Sequence, residues 1–267
     1  MMASDDESGG VDVSTFFIRG RNALLARADF SGLYVDHYLH LAAIGERVSP
    51  EHDEMLKNGL AAIALHCASR PWNESYAWTV NFQKPLVNLF LAGDNNFANL
   101  IGRVHTEAVR ESPTGMFFSD LLRGRESLRR SVVSFEGSDV FRAVEAFYAQ
   151  SEQRLGRFFP LEGDEVAFIS AQPDCDTEWL EGIDAEGVLA LEETETLSPL
   201  ERRTYQWRCG CDQERMMRVL ESPMRHNADA LFGDDESLRV HCPRCGMRHV
   251  ITREALEAFL NAGEAAR

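Results

Sequence analysis

The chain has 267 residues, 44% hydrophobic and 26% charged, with a formal net charge of −16. This is the composition of a globular protein with a proper core, and the length exceeds one typical domain of about 100–150 residues, so one large and one small domain are expected. The negative charge repels phosphate backbones and anionic lipid, which sets nucleic acid and membrane surfaces aside as partners. No stretch approaches the ~20 apolar residues of a membrane helix, and the acidic start Met1-Met-Ala-Ser-Asp-Asp-Glu lacks the basic region of a secretory signal, so a cytoplasmic protein is expected.

Residues 1–12, rich in Asp, Ser and Gly, read as a disordered tail. A first domain is expected over residues 13–173. Within it Phe16–Gly20 and Asn22–Ala28 read as strands, and Tyr34–Ile44 and Asp53–Ala68 carry helical apolar spacing punctuated by Pro50 and Pro71. The runs Tyr76–Phe82, Leu86–Ala92, Leu100–Val104, Met116–Leu122 and Ser131–Phe135, separated by turn residues such as Gly93-Asp-Asn-Asn, predict an antiparallel meander. Ser138–Gln153 returns to helical periodicity with Ser138 or Asp139 as cap, and Arg157–Leu161 and Val166–Ala171 add two short strands. The resulting class is α+β, an antiparallel sheet packed with helices.

Residues 174–207 are acidic and weakly patterned, with helical potential at Ser198–Tyr205, and read as a linker. Residues 208–267 form a small C-terminal module that ends in an amphipathic helix, Thr252–Leu260.

Four of the six cysteines lie in this module, as Cys209-Gly-Cys211 and, after thirty intervening residues, Cys242-Pro-Arg-Cys245. Two tight pairs joined by a loop suit one tetrahedral zinc, whose thiolates sit about 2.3 Å from the metal, and Gly210 and Gly246 permit the close turns. Two structural disulfides or four ordinary buried thiols are the alternatives. A module of this size gains roughly 3–5 kcal/mol from its core alone, whereas structural zinc supplies about 10–16 kcal/mol, so metal binding and folding should be one equilibrium. Such a site is most often only a staple. Clustered thiolates are nevertheless oxidisable, and their oxidation would expel the metal.

With these residues in view the chain resembles the bacterial redox-regulated holdase family of 33-kDa heat-shock proteins. The family pattern of Cys-x-Cys, a gap, then Cys-x-x-Cys matches Trp207-Arg-Cys-Gly-Cys-Asp-Gln-Glu-Arg215 and Leu238-Arg-Val-His-Cys-Pro-Arg-Cys-Gly246. Phe17-Ile-Arg-Gly, Pro85-Leu-Val-Asn-Leu-Phe-Leu-Ala-Gly-Asp-Asn-Asn and Glu136-Gly-Ser with Tyr148-Ala-Gln-Ser-Glu-Gln153 resemble its opening strand, central hairpin and helix, and the likeness runs from Thr15 to Leu260. The interval between Gln153 and Cys209 is shorter than the family pattern. The resemblance implies a reduced, inactive form with one zinc per chain held by Cys209, Cys211, Cys242 and Cys245. It also implies disulfides Cys209–Cys211 and Cys242–Cys245 on oxidation, unfolding client proteins as partners, and dimers on activation. It implies a chaperone rather than an enzyme, and the sequence has no phosphate-binding Walker loop.

Other candidates read as structural. His241 and His249 flank the second cysteine pair and could each replace a ligand, but four thiolates already satisfy zinc, so they read as strand residues. Cys67, preceded by His66, lies on a helix rich in Ala, Ile and Leu and reads as a small core residue. Cys175 sits in the acidic segment without a neighbouring cation to activate it. Arg123, Arg125, Arg129 and Arg130 form a basic patch on a solvated hairpin. Two competing functions keep the zinc without the switch: a constitutive chaperone, and a zinc-ribbon module for nucleic acid or a ribosomal partner.

Overall fold

The computed structural model describes residues 9–124, 126–226 and 231–265. The chain divides into two compact units, the first ending at Arg208 and the second beginning at Cys209. Among the described residues no helix is long and apolar enough to cross a membrane.

The first unit is built on one ten-stranded sheet of β1 (Val11–Arg19), β2 (Ala23–Asp29), β3 (Ser75–Gln83), β4 (Leu86–Asp94), β5 (Asn99–His105), β6 (Gly115–Arg123), β7 (Glu126–Phe135), β8 (Gly156–Pro160), β9 (Glu165–Ala171) and β10 (Thr196–Trp207). Their order is β7-β6-β3-β4-β5-β10-β1-β2-β9-β8. The fold is α+β as predicted. The meander is corrected: β6 returns to pair with β3, from Ser75 opposite Leu122 to Asn81 opposite Met116, and leaves the edge of β5 open. β10 fills that edge with a short parallel pairing, Gln206 to Asn99 and Trp207 to Leu100, so the sheet is not wholly antiparallel.

Helices α1 (Ser31–Ile44), α2 (Pro50–Ala68) and α3 (Val140–Phe147) cover one face. α2 starts where Ser49 accepts a hydrogen bond from the His52 N–H at 3.3 Å with Pro50 in its first turn, a favoured N-terminal arrangement. It packs closely on β4: a Cβ on Gly59 would lie 2.8 Å from Leu91 Cδ1, and one on Gly93 would collide with Cys67 Sγ. Leu56, Leu60 and Ile63 of α2 thus meet Trp78, Val80, Phe82, Leu89 and Leu91 of the sheet in the main core. α3 begins at Asp139, whose carboxylate accepts from the Arg142 N–H at 3.1 Å, and it passes into a π turn over Tyr148–Glu152.

Two boundaries change. Val11 and Asp12, expected in the tail, belong to β1 and pair with Tyr205 and Thr204. Val11 is buried, so the alternation Val11, Val13, Thr15 already faces the core. Residues 1–8 of the expected tail lie outside the described residues.

The expected linker, residues 174–207, is folded. Its first part forms α4 (Thr177–Gly182), α5 (Ala185–Leu189) and α6 (Leu191–Thr194), and its second part is β10, including the stretch Ser198–Tyr205 that its spacing suggested as helix. β10 tolerates Pro199 because a bulge falls there: Thr15 opposes Glu201 and Phe16 opposes Pro199, which leaves Leu200 as the extra residue. The three helices lie on the opposite sheet face from α2. Ala26, Ala28, Val166 and Phe168 point into the main core, whereas Ala23, Leu25, Ala167 and Ile169 of the same strands point to Leu180, Val188 and Leu191.

The second unit contains α7 (Gln213–His226), the hairpin β11 (Ser237–His241) and β12 (Arg248–Thr252), and α8 (Arg253–Ala265). Among the described residues, Met216, Met224, Phe232, Ile251 and Leu256 are its buried apolar residues outside the cysteines.

Candidate metal centre

Two turns present the sulfurs. The first, Cys209 to Cys211, runs through Gly210 at φ +65° into α7, whose start is capped by Asp212 accepting from the Arg215 N–H at 2.7 Å. The second joins β11 to β12. Cys242 N–H donates to the Met247 carbonyl at 2.9 Å, Gly246 N–H donates to the Cys242 carbonyl at 2.8 Å, and Gly246 takes φ +79°. The turn aims backbone N–H groups of Arg244 and Cys245 at Cys242, and that of Met247 at Cys245. Gln213 Nε2 donates to the Val250 carbonyl at 3.1 Å and fastens the start of α7 to β12.

The four predicted cysteines come together, with all four Sγ atoms within 4.8 Å of one another. Cys209 Sγ lies 3.7 Å from Cys242 Sγ, and Cys211 Sγ 3.6 Å from Cys245 Sγ. Sulfurs about 2.3 Å from one tetrahedral metal would stand about 3.8 Å apart, so the residues fit a metal, and the separations are far from the ~2.05 Å of a disulfide. None of the four forms a disulfide. Cys242 and Cys245 are buried, while Cys209 and Cys211 are half-buried.

Without a cation, thiols this close cannot ionise together. Side-chain hydrogen bonds from Cys209 and then Cys245 hold Cys242 well below the ordinary thiol range. Cys209 is pushed up, first by its hydrogen bond to Cys242, and burial pushes Cys211 up to about 12. A divalent cation reverses this by stabilising every thiolate at once.

The other candidates resolve individually. Cys67 and Cys175 lie outside the cluster. Cys67 is fully buried against Gly93, and burial pushes its thiol far up, which makes it inert. Its neighbour His66 turns instead to Tyr148, Nδ1 to Oη 2.7 Å. The thiol of Cys175 is also pushed up by burial. His241 ends β11 in an exposed position, but His249 of β12 places Nε2 at 3.4 Å from Cys211 Sγ, a contact that strand assignment alone did not disclose. In the basic patch Arg123 meets Glu74 at 3.3 Å, Arg130 meets Asp120 at 3.6 Å and Arg129 meets Glu152; Arg125 lies outside the described residues.

A feature of the acidic segment had no signal in the sequence. Arg157 of β8 extends Nη1 to the carbonyls of Leu180, Glu181 and Ile183 at 2.8, 2.8 and 2.7 Å, gathering the unsatisfied C-terminal groups of α4. Arg21 pairs with Asp176 at 2.7 Å and with Glu195 at 2.8 Å, and Arg27 pairs with Glu192. The first two ties hold both ends of the three-helix segment to the sheet.

Comparison with known proteins adds three findings. The family model described as Hsp33 protein matches residues 163–252. The "33 kDa chaperonin" of Photobacterium profundum is 28% identical over 145 residues, covering 44% of this chain and 49% of that protein, so the match spans about half the relative's length. The crystal structure of the 33 kDa chaperonin (heat shock protein 33 homolog) of Thermotoga maritima superposes with a TM-score of 0.68 at 14% identity, covering 97% of this chain and 100% of that one, and shows a shared fold. Over residues 163–252 the chain is similar to the Hsp33 family, and its fold is that of the Thermotoga maritima 33 kDa chaperonin.

Proposed function

We propose that this protein is an ATP-independent chaperone that holds unfolding proteins, controlled by one zinc bound through Cys209, Cys211, Cys242 and Cys245. The observation that carries this reading is four sulfurs at tetrahedral spacing in a unit with few buried apolar side chains, because metal and fold then stand or fall together. In the reduced, zinc-loaded state the protein is quiet. Peroxide or hypochlorite, acting with unfolding stress, pairs Cys209 with Cys211 and Cys242 with Cys245 and releases the metal. Client binding, dimerisation on activation and a cytoplasmic location belong to the same proposal.

The acidic segment supplies what such a switch needs. Nine carboxylates and no lysine or arginine lie between residues 174 and 195, so the helices repel themselves. They nevertheless cover Ile18, Leu25, Phe159 and Ile169. β10 is the covalent link from α6 to Cys209. When the metal unit loses order, a cap of this kind can leave and uncover an apolar face for an unfolding client.

One observation favours a second reading, a constitutive chaperone in which zinc is only a staple. The latter half of the expected linker is an internal strand, with Arg203 and Tyr205 buried. Zinc release and suppression of client aggregation, followed together before and after peroxide with mild heating, separate the two. Release of about one zinc per chain with suppression switched on supports the switch. Full suppression in the reduced state selects the constitutive form, and zinc loss without suppression removes both.

A further inference from the structure

His249 stands beside the cluster without belonging to the four-sulfur pattern. It lies in β12 opposite Val240 of β11. From there Nε2 reaches Cys211 Sγ at 3.4 Å, across 38 positions of sequence. The adjoining residue, Val250, accepts the hydrogen bond from Gln213 at 3.1 Å, so the strand and the first cysteine turn are fastened next to the contact. Cys242 and Cys245 receive donors from the backbone of their own turn. Cys211 is approached by a ring nitrogen from a different element, and this is a contact that substitution can remove without altering the turn.

We propose that His249 is a positioning residue of the metal centre: it donates its Nε2–H to the Cys211 thiolate, holds that sulfur on the metal, and slows its oxidation. The inference rests on the metal-centre reading above. Four sulfurs within 4.8 Å of one another complete a tetrahedral set, which leaves the imidazole outside the metal's own shell.

The reaction it governs is the attack of a thiolate on a peroxide. The sulfur electron pair forms an S–O bond as the O–O bond breaks, giving a sulfenic acid and a hydroxide ion that leaves to solvent. The sulfenic acid then meets a neighbouring thiol, an S–S bond forms and water leaves, so two cysteine sulfurs together supply the two electrons that reduce the peroxide. An N–H donor draws on the lone pair used in the first step, and its loss should make Cys211 a faster nucleophile on a looser metal site.

The test uses the full chain loaded with zinc, as wild type, His249→Phe and His249→Gln. Zinc affinity is read by competition with a chromogenic chelator, release by its absorbance after hydrogen peroxide, and ligand identity by the visible spectrum of the cobalt-substituted proteins. Removing an outer donor typically weakens a metal site by about 10–100-fold, so H249F should hold zinc at least about tenfold more weakly and release it correspondingly faster. H249Q keeps an N–H donor and should recover most of both, with four-thiolate cobalt spectra in all three. Wild-type affinity and release in H249F would overturn the role. So would a wild-type cobalt spectrum of three thiolates and one imidazole, which makes the ring a ligand. A wild type that binds neither zinc nor cobalt removes the metal centre itself, an outcome distinct from either.

Discussion

The strands β1, β2, β8, β9 and β10 are covered on their two faces by opposite means. On one side α2 has nineteen residues, a capped start and twelve buried positions. On the other, α4, α5 and α6 have six, five and four residues, well below the ~12–15 at which an isolated helix becomes marginal. The first cover has enough apolar contact to be part of the fold. The second is held by Leu180, Val188 and Leu191 and by arginines reaching up from the sheet. A sheet covered in this way can lose one cover and keep the other.

The largest expected effect is metal removal. On the proposed zinc reading, chelation removes roughly 10–16 kcal/mol of apparent binding energy, and Cys242→Ser, which deletes one ligand, acts in the same direction. Hydrogen exchange should show the unit from Cys209 onward losing protection while α2 and β3–β6 keep theirs. Retention of protection in that unit without zinc would mean that its own core suffices.

Core substitutions then compare the covers directly. Truncation of Leu60, a fully buried residue of α2, to alanine should cost about 2–5 kcal/mol of global stability, measured by urea unfolding. Leu180→Ala removes a side chain that is just as buried, yet should lower global stability less while raising binding of a hydrophobic dye, because the cap can open alone. Equal losses at both sites would show one cooperative unit instead of two covers.

Acid tests the first cover where it meets the end of β10. His37 of α1 is 2% exposed, neither ring nitrogen has a hydrogen-bond partner among the described residues, and its ring centroid lies 4.8 Å from that of Trp207. Asp53 Oδ1 stands 3.7 Å from Nε2 and Tyr38 donates to the other Asp53 oxygen at 2.6 Å, while His40 shares the Trp207 ring at 5.7 Å. Burial pushes His37 down to about 4, against the pull of Asp53. The unfolded chain therefore takes the proton first. The stability from neutral His37 is complete above about pH 6.5 and is lost as pH falls toward 4, at most about 3 kcal/mol. His37→Phe should flatten that acid slope in a pH series of unfolding midpoints; an unchanged slope would place the titrating group elsewhere.

The smallest effect sharpens the cap itself. Arg157→Ala removes a charged donor from three carbonyls, a local loss of about 1.5–3 kcal/mol. Exchange protection should fall over residues 177–195 and remain unchanged in α2. Uniform loss of protection would mean that the cap does not open independently.

Much of this was legible from local pattern. The helices at 31–44 and 50–68 and the strands β1 to β9 follow apolar periodicity, proline and caps, which act over a few residues. The cysteine quartet was legible because metal geometry restricts ligand spacing, and the zinc-sized cluster of sulfurs follows from two short turns. The acidic segment was misread because its low apolar content resembles a solvated linker; only Arg21, Arg27 and Arg157, distant in sequence, reveal what holds it.

By itself the amino-acid sequence determined the α+β class, the places of most elements and the four sulfurs of the candidate centre, because each depends on neighbours along the chain or on a pattern of short spacing. Only the tertiary structure decided that β6 pairs with β3, that β10 is a strand between β1 and β5, that α4–α6 cap a sheet face, and that His249 reaches Cys211. These depend on contacts between residues far apart in sequence, whose pairing is set by the packing of the whole sheet and leaves no periodic signature in any one segment.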